Sequence, residues 1–250
     1  MQTRMVEIPT PDGTADAFVA VPDEGGARPG VLLYTDIFGI RPVIREMAER
    51  LAEHGYYVLV PNVFYRRGAA PVLEVPDLTS AEERAAFFGR IMPLLQEHTP
   101  ARAALDADAY LSFLAAQPEV ATGRVGVVGY CMGAGLALRT AAEHRDVAGV
   151  ACFHPGRLVT DEPDSPHRLA PNLTAEIHFG LAERDEAMPP EAVAALNKAL
   201  DEAGVRYTSE VYPDTDHGFT MSDTAVYSPS GDETHWDRML QLFARTLADG

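Results

Sequence analysis

The five residues Gly129-Tyr130-Cys131-Met132-Gly133 constrain the fold of this chain more than any other stretch. They follow the apolar run Val125-Gly126-Val127-Val128 and precede Gly135 to His144, which reads as a helix body. A chain that passes from strand to helix in so few residues must turn sharply, with its central residue strained and little room beside it. Gly129 and Gly133 supply that room. From the composition, glycine, cysteine and glycine at this spacing are expected by chance about 0.01 times in the chain. The same turn sets Cys131 at a helix N-terminus, where the dipole favours a thiolate and the Met132 amide can face a developing oxyanion.

The rest of the chain alternates strand and helix patterns. Met5 to Ile8 and Ala15 to Val21, separated by Pro11-Asp12-Gly13, predict an antiparallel hairpin. Val31 to Tyr34 is a continuous apolar run of the kind buried on both faces of a parallel sheet. Pro42 to Glu53 carries Val43, Met47, Ala48 and Leu51 at helical spacing, and Tyr56 to Val60 is a strand. Ser80 with Glu83 is a capping box, and Thr99-Pro100 starts a helix that runs to Gln117. Val147 to Phe153, Ala175 to Phe179 and Tyr207 to Tyr212 are further strands, with helices over Pro190 to Glu202 and Thr234 to Leu247. Pro163 to His167 and Ser228 to Gly231 read as polar loops. This alternation predicts an α/β fold with a mostly parallel sheet covered by helices on both faces. No linker or repeat interrupts it, so residues 1–250 are expected to form one domain.

Charge and hydropathy narrow the function. The formal net charge is −17, a field that repels nucleic acid and anionic membrane and otherwise serves solubility. No uncharged apolar run is long enough to span a bilayer, and no apolar segment follows Met1, so the expected location is cytoplasmic. In that reducing setting Cys131 and Cys152 need separate explanations. Cys152 lies inside Val150-Ala151-Cys152-Phe153 and reads as core, whereas Cys131 reads as a nucleophile.

A thiol nucleophile needs a base, and the base needs an orienting acid. His217, in Asp216-His217-Gly218-Phe219, follows one strand, and Asp185 follows another. Glu183, Asp214 and Asp216 compete for the acid's role, but a residue beside the histidine folds back poorly onto its ring, which favours Asp185. The chain order Cys131, Asp185, His217 is that of nucleophile, acid and histidine in the α/β-hydrolase fold. The other histidines lack paired ligand spacing, so no metal is expected, nor any organic cofactor. His154, just past a strand end, is a candidate for lining the pocket.

With these residues assembled, the chain resembles the dienelactone hydrolases, also called carboxymethylenebutenolidases, the cysteine-dependent α/β-hydrolases. The resemblance covers nearly the whole length. It rests on Gly129-Tyr130-Cys131-Met132-Gly133, Asp36-Ile37-Phe38-Gly39, Val60-Pro61-Asn62-Val63-Phe64, Asp185 and His217-Gly218-Phe219. It implies hydrolysis of a small ester or lactone through a thioester, with the Ile37 amide joining that of Met132 in the oxyanion hole. In that family a glutamate precedes the Ile-Phe-Gly motif and contacts the thiol. Here the acid is Asp36, one methylene shorter, and it stands as an activating or supporting residue. Dienelactone-cleaving members also hold the substrate carboxylate with an arginine shortly after the histidine, yet no arginine follows His217 until Arg238. Arg41, Arg66 and Arg67 are the candidate replacements, and their alternative is plain surface solvation. Two other functions fit the sequence: a non-catalytic ligand-binding homologue and a thiol redox sensor.

Overall fold

A computed structural model describes residues 1–23 and 25–248, which group into two compact units. The first unit holds residues 1–123 with 223–225, and the second holds 124–222 with 226–250.

In the first unit, β1 (Gln2–Thr10) and β2 (Gly13–Val21) form the antiparallel hairpin predicted around Pro11-Asp12-Gly13. β2 also pairs antiparallel with β4 (Tyr57–Pro61), and β4 pairs parallel with β3 (Arg28–Tyr34). Val31, Leu32 and Leu33 in β3 and Tyr57 to Val60 in β4 are fully buried, which explains why neither run alternates. Helix α1 (Pro42–Glu53) has proline in its first turn and packs Val43, Ile44, Met47, Ala48 and Leu51 toward β2 and β4. Helix α2 (Ala81–Glu97) is capped by Ser80, whose hydroxyl accepts the Glu83 amide, and buries only Phe87 and Ile91. Helix α3 (Pro100–Ala115) is capped by Thr99 and packs on β1, β3 and β4.

In the second unit the strands β5 (Val120–Tyr130, from Arg124 onward), β6 (Val147–Phe153), β7 (Glu176–Arg184) and β8 (Tyr207–Asp216) pair in sequence, all parallel. Helix α4 (Met132–Glu143) packs on β6, and α5 (Pro190–Ala203) packs against a short helical turn at Pro166–Asn172. Helix α6 (Pro229–Thr246) lies on β6, β7 and β8. The described residues thus contain eight strands, six of them in parallel pairings, and six α-helices, an α/β arrangement with an antiparallel hairpin at its start.

Two stretches with the composition of loops are helical. Pro166–Asn172 forms the helical turn that overlaps Pro163 to His167. Ser228 to Gly231 opens α6 five residues before Thr234, because the Ser228 hydroxyl accepts the Gly231 amide at 3.3 Å and Pro229 occupies the first helical position. The signal is the one that starts α3 at Thr99-Pro100, and in α6 the neighbouring serines and glycine obscure it. β8 also extends beyond Tyr212 through Pro213, which an end strand tolerates because one side of it makes no ladder bonds. Ser228→Ala should cost about 1 kcal/mol in urea unfolding, the usual worth of such a cap; an unchanged midpoint would mean that α6 is held by packing alone.

Candidate active site

The parallel strands of the second unit deliver three side chains from their C-terminal ends. Cys131 stands between β5 and α4 with φ 52° and ψ −116°, a conformation that an L-residue holds only when its surroundings impose it. They do so with hydrogen bonds on both sides: the Cys131 amide donates to Phe153 O at 3.2 Å, and its carbonyl accepts from Ala134 at 3.2 Å and Gly156 at 2.8 Å. A Cβ on Gly129 would collide with the Gly133 carbonyl, so the spacing of small residues in the sequence reports a real steric requirement. Cys131 is partly exposed. Met132 begins α4, so its amide belongs to the first turn, whose N–H groups have no carbonyl four residues back.

Asp185 follows β7 directly, and its side chain is almost wholly buried. One carboxylate oxygen accepts the Ala187 amide at 2.9 Å, and the other lies 2.8 Å from His217 Nδ1. His217 follows β8 directly and is hydrogen-bonded to Cys131 as well as to Asp185. Burial alone would lower the His217 pKa, but the electrostatic attraction of Cys131 and the hydrogen bonds to Asp185 and Cys131 outweigh it and push the pKa up to about 10. The competing acids are engaged elsewhere. Glu183 accepts the Asp214 amide at 2.9 Å, and Asp216 takes a bidentate bond from Arg184 at 3.0 and 2.9 Å.

His154 ends β6 with φ 34° and is fully buried, so it does not line an open pocket. Its ring meets the His217 ring edge-on at 5.3 Å, and its Nε2 lies 2.8 Å from the Thr220 hydroxyl. It therefore backs the His217 ring. Cys152 is fully buried in β6, where burial raises its thiol pKa and keeps it protonated. Among the described residues no group of three His, Cys, Asp or Glu side chains could hold a metal ion, and no helix is long and apolar enough to cross a membrane.

In the first unit, Asp36 and Ile37 follow β3 and are both buried. The Asp36 carboxylate accepts the Phe38 amide at 3.0 Å and a bidentate pair from Arg41 at 2.7 and 2.9 Å. Arg41 is 4% exposed and also donates to Asp223, from Nε at 2.6 Å and Nη2 at 3.2 Å, and to the Gly39 carbonyl from Nη1 at 3.4 Å. Arg66 binds Asp12 at 2.9 Å and Asp106 at 2.8 Å through each terminal nitrogen. Arg67 pairs with Glu97. None of the three is a bare surface cation. Sequence reasoning missed Asp223, which carries no motif, and Asp106. The latter was readable: it interrupts the apolar stripe Ala103, Ala107, Tyr110, Leu114 of α3 with a charge that must find a partner.

The fold and this strand-end cluster define an α/β-hydrolase. The chain belongs to the dienelactone hydrolase family, whose model matches residues 15–247. It is 30% identical over 243 residues to a protein of Methylorubrum extorquens named as a carboxymethylenebutenolidase, spanning 95% of this chain and 79% of that one. A protein of the same name from Escherichia coli K12 is 26% identical over 94% of this chain and 84% of its own. The crystal structure of a protein from Klebsiella pneumoniae named as a dienelactone hydrolase superposes with a TM-score of 0.86 at 24% identity, covering 98% of both chains.

Two measurements probe these contacts. Cys131→Ala removes an electrostatic attraction and a hydrogen bond from His217, so the imidazole titration followed by NMR should fall from about 10 toward an ordinary value of about 6.5; an unmoved midpoint would assign the whole effect to Asp185. Asp36→Ala strips the buried Arg41 of one of its two carboxylates and should lower unfolding free energy by about 3 kcal/mol; a loss below about 1 kcal/mol would mean that the pair contributes little to holding the loop.

Proposed function

We propose that this chain hydrolyses a carboxylic ester or lactone through a Cys-His-Asp triad. The observation that carries the reading is His217 joined at once to Cys131 and to the buried Asp185. In the resting state the Cys131 thiolate and the His217 imidazolium form an ion pair. The sulfur attacks the substrate carbonyl carbon, and the carbonyl oxygen becomes an oxyanion held by the amide of Met132. As the carbon–oxygen bond to the leaving group breaks, His217 gives it a proton, which leaves a thioester on Cys131 and a neutral imidazole. In a lactone the freed hydroxyl stays attached to the acyl group. Water then attacks the thioester, His217 takes its proton, and the carbon–sulfur bond breaks to return the ion pair and release the acid. Asp185 fixes the tautomer of His217 and stabilises its charged form.

The tetrahedral intermediate can expel either the sulfur or the leaving group. A phenolate or enolate competes well with a thiolate and an amide nitrogen does not, which is why esters and lactones are the substrates. Asp36 supports the Ile37 loop by binding Arg41 and the Phe38 amide. No step calls for a metal or an organic cofactor.

Cys131→Ala should lower kcat for a para-nitrophenyl ester by a factor of about 1,000 or more, as loss of a triad nucleophile does. Rapid quenching of the wild type should show a mass increment equal to the acyl group on Cys131. Full activity in the alanine variant would refute the mechanism, and binding of the ester without turnover or acylation would favour a ligand-binding role.

A further inference from the structure

His217 stands in a tight turn. The Phe219 amide donates to Asp216 O at 3.1 Å, and Gly218 has φ 99°, a value that a side chain would strain. The turn brings Phe219 and Thr220, both buried, back onto His154. The His154 ring meets the rings of His217 and Phe219 edge-on, each at 5.3 Å, and its Nε2 lies 2.8 Å from the Thr220 hydroxyl. The base of His154 is fixed as well, because its amide donates to Gly180 O at 2.8 Å. A fully buried histidine at φ 34° is costly to keep as plain filling, since both its backbone and its polar ring need support. That support ties the turn down on either side of Gly218, at His217 and at Thr220.

The chemistry needs such a hold at one stage above all. In the free protein His217 is bonded both to Asp185 and to Cys131. Burial lowers its pKa, and among the influences that raise it the attraction of Cys131 is the strongest. Acylation turns the sulfur into an uncharged thioester, a poor acceptor, so His217 loses that attraction and that hydrogen bond together. The loss suits the next step, because a ring with a weaker hold on its proton is a better base for water. It also leaves the ring tied to Asp185 alone among its two hydrogen-bond partners, free to swing just when water must lose a proton. The packing of His154 on His217 does not depend on the state of the sulfur.

We propose that His154, clamped by Thr220, is a positioning residue for the second half-reaction and holds His217 beside the thioester while water attacks. The assignment rests on the proposed Cys-His-Asp reading. His217 takes a proton from water as the new carbon–oxygen bond forms, the carbon–sulfur bond breaks, and Cys131 leaves as the thiolate. Formation of the thioester depends less on His154, because Cys131 and Asp185 both hold the ring at that stage.

Transient kinetics separates the two half-reactions. Acylation is read from nitrophenolate release with the protein in excess over para-nitrophenyl acetate, and deacylation from the decay of the acetyl mass increment on Cys131. In His154→Leu and in Thr220→Val, deacylation should slow by about tenfold or more, as misplacement of a reacting group does, while acylation changes by less than about threefold. The acetyl form then accumulates at steady state, whereas a merely structural role would slow both steps alike. Equal slowing of the two steps, or deacylation at the wild-type rate in either variant, overturns the proposal and leaves the triad standing. Thr220→Val exchanges one buried hydroxyl for a methyl group and carries the test if His154→Leu does not fold. Absence of an acetyl group on wild-type Cys131 overturns the catalytic reading and this one together.

Discussion

A cysteine at positive φ between β5 and α4 fixes the corner on which the strand ends of the second unit are arranged. Such a conformation costs about 1–3 kcal/mol and persists only where several contacts fix it. Here the register supplies them. Tyr130 and Phe153 are paired residues of β5 and β6, so the next residues, Cys131 and His154, leave the sheet side by side, and both have positive φ. The Cys131 amide stays bonded to Phe153 O, while the His154 amide turns to Gly180 O on β7. Two strained strand ends thus share one corner, with the thiol at the mouth of a helix and the His154 ring behind His217. Gly156 then closes the corner by donating to the Cys131 carbonyl.

The environment of His217 is understood best beside that of His178. Burial acts against the charged form of both rings. His178 sits between two hydroxyls, Thr208 at 2.6 Å and Tyr212 at 3.0 Å, and burial wins over the weaker attraction of Glu210, which lowers its pKa to about 4. His217 has the Asp185 carboxylate on one side and Cys131 on the other, and their attraction for the charged ring wins. The same side chain is kept neutral by burial in one place and favoured in its charged form by its neighbours in the other. The difference lies in the formal charge of its neighbours.

That difference explains what was legible in the sequence. The elbow, the alternation of strands and helices, and the order of Cys131, Asp185 and His217 are local signals, because each depends on residues within one turn or one strand end. The start of α6 at Ser228-Pro229 is equally local, yet it reads as loop because serine and glycine serve both purposes. His154 is legible as a strand-end residue, but its exposure depends on Phe219 and Thr220, whose approach is set by the return of β8. The fate of the arginines was least legible. Asp223 lies 182 residues beyond Arg41, and Asp106 lies 40 beyond Arg66. Whether a guanidinium is free to bind a ligand depends on carboxylates that only the fold brings to it.

The pair Asp36 and Arg41 shows how a short acid at a strand end is committed to its own loop. A carboxylate that reaches outward can change partners, whereas the Asp36 carboxylate is bonded within its own loop, to the Phe38 amide and twice to Arg41. Arg41 is in turn anchored by Asp223, six residues after His217 in the chain. Breaking any one of these bonds would leave a charge in a buried place, so the three groups stabilise one another's positions more than each stabilises the fold by itself. An acid fixed in this way orders the backbone around Ile37 and Phe38, whose ring packs against Phe87 and Phe88 of α2.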